Sequence, residues 1–431
     1  MENKNEKSVA IFTLGCKVNQ YETNAMIQKF KENNFKIVNF NDVSDIYVIN
    51  TCTVTNIAEK KSRQMIRKAK EQNKNAIIIA VGCYAQVAEK ELEKLKEIDL
   101  ILGTNEKNKI VEYVNEYIEE RKNINKTSDV LAQKEFLDFG DVLYTEKTRA
   151  VIKIQDGCDR YCSYCIIPFA RGRVRSRLPE NIVNEVIKIA KNDIKEIVIT
   201  GIHIASYGKD FKEKFTLIDL LEKLNEIQGI KRIRLGSIEP TIITEDFVNR
   251  IVKLKKVCNH FHLSLQSGCD ATLKRMNRKY TTQEFEKSVN LLRNAYKDVC
   301  LTTDIIVGFP GETEEEFNKT YDFLKKIKFY KMHIFKYSQR KGTKAAIMPN
   351  QINPQIKEQR SKKLIELSDK YEKEILNTYI GKTVKVLFET GNKGYTSNYI
   401  CVKSKTNGIA NELINVKIDG LEGLQLTGQI M

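Results

Sequence analysis

Short runs of β-branched and aliphatic residues recur along this chain, with a helical pattern after nearly every one, and this alternation restricts the fold more than any other feature. Residues 8–15, 46–51 (IYVINT), 76–82 (AIIIAVG) and 99–103 read as buried strands, separated by stretches such as IAEKKSRQMIRKAKEQ at 57–72. Strand followed by helix followed by strand gives a parallel sheet covered by helices. From 150 to about 340 the alternation resumes, with strands starting near 151 (VIKIQ), 196 (EIVITG), 232 (RIRLG), 261 (FHLSLQ), 301 (LTTDIIVGF) and 332 (MHIFKYS). Six such units suit a partial barrel better than a closed eight-fold one.

The stretch 119–150 is polar and weakly patterned and reads as a connector with one short ordered piece at most. A lysine-rich helix follows at 355–380. The last fifty residues turn into strand-like runs punctuated by glycine, the pattern of a small antiparallel barrel. The expected fold class is therefore α/β and multidomain. An N-terminal parallel α/β domain occupies 7–118, a linker 119–143, a central partial (βα)6 barrel 144–375 and a C-terminal antiparallel β-barrel 376–431.

The chain opens without a basic segment leading into a long apolar core, and no run approaches 18 apolar residues. This predicts a cytoplasmic protein with no membrane partner. In a reducing compartment ten cysteines call for metal binding, catalysis or packing rather than disulfides.

Cys158, Cys162 and Cys165, in QDGCDRYCSYC, form a C-x3-C-x2-C run just after the first barrel strand. Three thiolates hold an iron-sulfur cube but leave its fourth iron without a protein ligand. A structural zinc wants four ligands, and no histidine or fourth cysteine is near in sequence. Cys16, Cys52 and Cys83 follow FTLG, YVINT and IAVG, so each stands at the carboxyl end of an expected parallel strand, the edge where open α/β sheets bind ligands. Convergence there gives a second metal site, with packed free thiols as the alternative. Cys258, Cys269, Cys300 and Cys401 match no ligand spacing and read as core.

Other candidates rest on position. Gly201, Gln266 and Asp304 end barrel strands, where polar groups and close backbone approach serve ligands; turn formation is the alternative. His203 and His262 read as structural or positioning residues. Arg171, Arg173, Arg175 and Arg177 alternate along RGRVRSR, which in an extended stretch puts all four on one side, for phosphate or a cofactor carboxylate or as a solvated basic face. Tyr395 and Tyr399 interleave with Lys393, Lys403 and Lys405; such barrels stack bases on aromatics between cations, unless the tyrosines are core. A formal charge of +16 fits a nucleic-acid partner, since phosphate neutralisation supplies much of such affinity.

The spacing of the central trio, with Tyr164 before its third cysteine and βα units after it, resembles the radical S-adenosylmethionine superfamily. TLGCKVNQYET, INTCTVT and VGCYAQ resemble the amino-terminal domain of its methylthiotransferases, and the tail resembles their terminal TRAM domain. The likeness extends over nearly the whole chain.

It implies two [4Fe-4S] clusters, on Cys158, Cys162 and Cys165 and on Cys16, Cys52 and Cys83. S-adenosylmethionine would chelate the open iron and yield a 5′-deoxyadenosyl radical, with Tyr164, Gly201, Gln266 and Asp304 as candidate nucleotide contacts. It also implies an electron donor such as flavodoxin or ferredoxin, and tRNA rather than DNA as partner. Methylthiotransferases divide by substrate among threonylcarbamoyl-adenosine at position 37 of tRNA, the isopentenyl form of that position, and an aspartate in a ribosomal protein. GCKVNQYET resembles the threonylcarbamoyl branch; the other branches carry different residues after the first cysteine. A non-catalytic RNA-binding protein with redox-sensing clusters is the competing class, but a purely structural cluster would use four ligands.

Overall fold

The computed structural model describes residues 6–145 and 148–431. Its first unit is a parallel sheet of β1 (Ser8–Thr13), β2 (Lys36–Val38), β3 (Ile46–Thr51), β4 (Ile77–Gly82), β5 (Leu100–Leu102) and β6 (Ile124–Lys126), in the order β2-β1-β3-β4-β5-β6. Every residue of β3 and β4 is buried, as near-continuous apolar runs require when helices cover both faces of a sheet. One face packs Val9, Val48 and Ile79 against Met26, Phe30 and Val114; the other packs Tyr47 and Ile78 against Met65 and Ile66. β6 lies inside the segment read as a connector, with Ile124 paired to Leu100. A polar three-residue edge strand is too short to carry a periodic signal.

The second unit contains β7 (Arg149–Asp156), β8 (Arg175–Ser176), β9 (Glu196–Gly201), β10 (Arg232–Leu235), β11 (Ser237–Ile238), β12 (His260–Leu263), β13 (Cys300–Val307) and β14 (Lys331–Lys336). They form two sheets, β10-β9-β7-β8 and β11-β12-β13-β14, joined by a parallel bridge between Ile233 and Val257. The result is a partial barrel of six parallel strands with β8 and β11 added at its rim. Reciprocal capping boxes, Thr216 with Asp219, Thr281 with Glu284 and Thr313 with Glu316, start three of the helices. Ile152, Ile154, Ile197 and Ile199 lie under the helices. The alternate positions Arg149, Lys153 and Glu196 therefore face the lumen, which is polar.

Helix Pro354–Asn377 leads into a closed barrel of β15 (Thr383–Phe388), β16 (Lys393–Tyr395), β17 (Cys401–Ser404), β18 (Leu413–Glu422) and β19 (Gln425–Ile430) around Val386, Phe388, Val402, Val416 and Leu426. Its pairings are antiparallel except for β17 with β19.

Two contacts place these units around the lumen. Helix Lys17–Glu32 lies against β7, where Tyr21 and Ala25 pack with Phe139, Val142 and Val151. At the amino ends of the strands, Arg232 donates to the carbonyls of Tyr395 and Lys385 at 2.8 Å, and Arg234 to those of Ser397 at 2.8 Å and Thr396 at 3.2 Å. Among the described residues no helix is long and apolar enough to cross a membrane.

Candidate functional site

Neighbouring strands bring the first trio together. β1, β3 and β4 are adjacent, and Cys16, Cys52 and Cys83 follow their carboxyl ends. Gly15 has φ +96°, and a Cβ there would stand 2.8 Å from Cys52 Sγ, so only glycine lets the turn before Cys16 pass this close to Cys52. Asn19 braces the rim, its amide donating to the carbonyls of Leu14 at 2.7 Å and Thr51 at 3.0 Å. Cys16 is exposed, whereas Cys52 and Cys83 are buried. Burial pushes the Cys52 thiol up to about 11 and raises that of Cys83, which Arg171 and Lys107 oppose.

The second trio occupies the loop after β7. Gly157, φ +70°, would place a Cβ 1.7 Å from the Arg173 carbonyl oxygen, and the Cys158 amide donates to the Gly172 carbonyl at 3.0 Å. The chain thus doubles back tightly on itself around the three thiols. Burial pushes Cys158 up to about 11 and Cys165 up to about 12. Arg278 Nη1 donates to Cys162 Sγ at 3.3 Å, and Arg278 also approaches Glu239 at 3.5 Å.

A buried charge network ties Cys83 of the first trio to Asp156, at the end of β7 just before the second. Arg171 Nε donates to Cys83 Sγ at 3.2 Å, its Nη1 to Glu22 at 2.8 Å and Asp156 at 3.1 Å, and its Nη2 to Asn19 at 2.7 Å. Glu22 also accepts from Lys107 and from Lys153 at 2.7 Å; Lys153 reaches Asp156 at 2.5 Å. Burial alone would raise the Glu22 carboxyl, but Arg171, Lys107 and Lys153 hold it well below the usual range. Two carboxylates face three cations here, leaving an excess positive charge beside Cys83. That excess, with an N–H donor on one sulfur of each trio, fits anionic thiolate-ligated clusters. With three sulfurs per trio, each donor set suits a four-iron cluster with one iron left open.

The row of arginines requires correction. Gly172, φ +73°, ends the short helix Ile167–Arg171, so the stretch is not extended through Arg171. Arg171, Arg175 and Arg177 are all buried: Arg175 donates to the Arg171 carbonyl at 2.7 Å, and Arg177 pairs with Glu185 and, at 3.0 Å, Asp138. These three are inter-element fasteners, unavailable to RNA phosphates, and only Arg173 is exposed. The tyrosines of the terminal barrel also turn inward. Tyr395 and Tyr399 stack at 5.1 Å, Arg149 sits 4.8 Å and 5.3 Å from their ring centres, and Arg234 lies 4.6 Å from that of Tyr399.

Of the expected nucleotide contacts, Gly201 ends β9, where a Cβ would meet Gln155 at 3.0 Å. Gln266 is held at φ +70°, its backbone exchanging hydrogen bonds with Asp304 and Ile306 of β13 at 2.9 Å each. Tyr164 packs edge-on to Phe309. Asp304 instead lines a cavity of about 740 Å³ between the lumen and the terminal barrel, shared with Lys17, Arg234, His262, His333 and Tyr399. His262, Asp304 and His333 offer ligand atoms within 4.8 Å of one another. His203 positions Glu239, with Nε2 3.3 Å from its carboxylate. Cys258, Cys269 and Cys300 are buried away from either trio's motif, and Cys401 is half-buried. Sequence reading missed Arg278, Glu22, Glu239 and Lys17; single charged residues on helices and loops carry no periodic or spacing signal.

The chain is similar to known proteins over nearly its whole length. Residues 152–324 match the Radical SAM superfamily and residues 8–103 the uncharacterized protein family UPF0004. The threonylcarbamoyladenosine tRNA methylthiotransferase MtaB of Bacillus subtilis (strain 168) is 42% identical over 95% of this chain and 93% of its own length; that of Aquifex aeolicus (strain VF5) is 41% identical over 95% and 100%. A tRNA-2-methylthio-N(6)-dimethylallyladenosine synthase from Clostridium tetani (strain Massachusetts / E88) is 35% identical over 99% and 97%. Among solved structures, the radical S-adenosylmethionine methyltransferase TsrM from Kitasatospora setae superposes with a TM-score of 0.56 at 13% identity, over 77% of this chain and 73% of its own.

Proposed function

The chain belongs to the radical S-adenosylmethionine methylthiotransferase family, and on that premise we propose that it adds a methylthio group to C2 of N6-threonylcarbamoyladenosine at position 37 of tRNA. The observation that carries this reading is the pair of cysteine trios, each at the carboxyl ends of parallel strands and each with an arginine N–H on one of its sulfurs.

Cys158, Cys162 and Cys165 would hold a [4Fe-4S] cluster, and Cys16, Cys52 and Cys83 a second one that would serve as the sulfur source. With S-adenosylmethionine bound, the first cluster would supply one-electron chemistry able to remove hydrogen from an unactivated aromatic carbon, for which no acid or base would serve. Arg278 and Arg171 orient a thiolate ligand of each cluster and stabilise its negative charge. Tyr164, Gly201 and Gln266 seat the nucleotide, and Glu239, fixed by Arg160, Arg278 and His203, holds the rim beside it rigid. The terminal barrel, residues 376–431, brings the tRNA, and a small reducing protein of the flavodoxin or ferredoxin kind delivers electrons.

The isopentenyl-directed activity is the second reading, favoured by the 35% identical relative; the 42% and 41% identities favour the first. Mass spectrometry of tRNA nucleosides from cells with and without the gene separates them. Loss of the methylthio-threonylcarbamoyl nucleoside alone is expected; its persistence, with loss of the isopentenyl form, would transfer the assignment to the second reading.

A further inference from the structure

The cavity under the terminal barrel contains a cation, Lys17, that has no ion-pair partner among the described residues. Lys17 directly follows Cys16, opens helix Lys17–Glu32 and lines the cavity with Arg234, His262, Lys331, His333 and Tyr399. The neighbouring cations are all answered: Arg234 donates to Glu196 at 2.8 Å, Lys331 to Glu372 at 3.0 Å and Arg149 to Glu389 at 2.7 Å. The acidic groups of the wall are likewise engaged, Glu422 by Lys403 at 2.8 Å and Asp304 beside His262 at 3.2 Å. Among the described residues no carboxylate lies within ion-pair distance of Lys17; Arg149 and Arg234 repel its charge, and Tyr399 and Cys16 offset part of that repulsion. Like charges placed this close repel, at an energetic cost that an arriving anion relieves.

Two anions come with a tRNA, the backbone phosphates and the carboxylate of a threonylcarbamoyl substituent. The location favours the second. About 740 Å³ is room for a ligand the size of a modified nucleoside, reached by turning a base out of its stack. A phosphate backbone follows outer surface instead, and Lys17 stands one residue from a cysteine of the sulfur-donating trio.

We propose that the Lys17 ammonium binds the carboxylate of the threonylcarbamoyl substituent and so selects that substrate over an uncharged isopentenyl one. This rests on the function proposed above and adds to it the residue that reads the substituent. Lys17 is exposed in the free protein; an isopentenyl chain laid over it would take the ammonium out of water with no partner, and a site that covers a polar group rejects ligands that cannot pair with it.

The test compares binding of two anticodon stem-loop RNAs to the full-length protein. One carries threonylcarbamoyl-adenosine, the other the same nucleoside with its threonine carboxylate converted to the primary amide. The wild-type protein should bind the acid about ten- to a hundred-fold more tightly than the amide, the range expected of a charge-assisted hydrogen bond. That ratio should fall to near one in Lys17→Gln and be largely restored in Lys17→Arg. Equal binding of acid and amide by the wild type overturns the inference, as does a Lys17→Gln protein that keeps the preference. Equal weakening of both RNAs in Lys17→Gln would identify a backbone phosphate as the anion and overturn it too. Turnover of the acid stem-loop by the reconstituted wild-type enzyme is read separately: its absence counts against the proposed function, whereas turnover with no acid preference removes only the role of Lys17.

Discussion

Arg171 Nε lies 3.2 Å from the sulfur of Cys83, a residue 88 positions away in another unit of the fold. Hydrogen bonds to ligand sulfurs stabilise the more negative, reduced state of an iron-sulfur cluster and raise its potential. In protein whose other trio has been replaced by alanine, so that one cluster gives the signal, Arg171→Lys should lower the reduction potential in an EPR-monitored titration. An unchanged potential would mean that the contact does not tune the cluster.

Cys16→Ala should abolish methylthiolation while preserving reductive cleavage of S-adenosylmethionine, because Cys158, Cys162 and Cys165 are untouched. Cys165→Ala should abolish both. Product analysis by liquid chromatography, together with iron content, checks this; loss of cleavage in a Cys16→Ala protein that retains the central cluster would refute the division of labour.

Glu22 is buried and answers Lys107, Lys153 and Arg171 at once. Glu22→Gln keeps the shape but leaves three cations facing Asp156 alone. Removing one member of a buried charge group typically costs about 3–5 kcal/mol. A clear fall in the thermal unfolding midpoint is expected, with easier proteolysis between the first unit and the barrel. A variant as stable as the parent would show that the network contributes little to docking.

Burial by itself would raise the Glu239 carboxyl, but His203, Arg278 and Arg160 bring it down to about 2. A depressed carboxylate stabilises the fold above its unfolded value, near 4.3, and that contribution disappears as pH falls through the folded value. In cluster-free protein, Glu239→Gln should therefore be less stable at neutral pH by about 3 kcal/mol, with the gap closing between roughly pH 4.5 and 2. Denaturant midpoints at several pH values test this; a gap that does not change with pH would contradict the assignment.

How much of this was legible in the sequence follows from the reach of each signal. The strand runs ending in Cys16, Cys52, Cys83 and the Cys158 loop are short, nearly continuous apolar stretches followed by helical patterns, so the fold and the strand-end positions of these cysteines were readable from one chain. Arg171, Arg175 and Arg177 were legible as a group but misassigned. Alternation is informative only in extended backbone, and the turn at Gly172, followed by inward-facing Glu22, Asp156 and Glu185, reversed their surroundings. Nothing local marks Arg278 as the partner of Cys162, 116 residues away. That pairing exists only once the barrel brings the loop after helix Asp270–Arg275 and the cysteine loop to the same end.

The arginine contacts from β10 to the carbonyls of residues 385 and 395–397 give the terminal barrel a second duty. It closes that end of the reaction vessel in addition to the RNA-carrying role proposed for it above. A chain ending at residue 377 would lose these contacts and uncover that end of the lumen, and hydrogen donors from solution would compete with the nucleoside for any radical formed inside. Truncation would waste S-adenosylmethionine as well as weaken tRNA capture, so uncoupled turnover, measured without RNA, reports whether that end is closed.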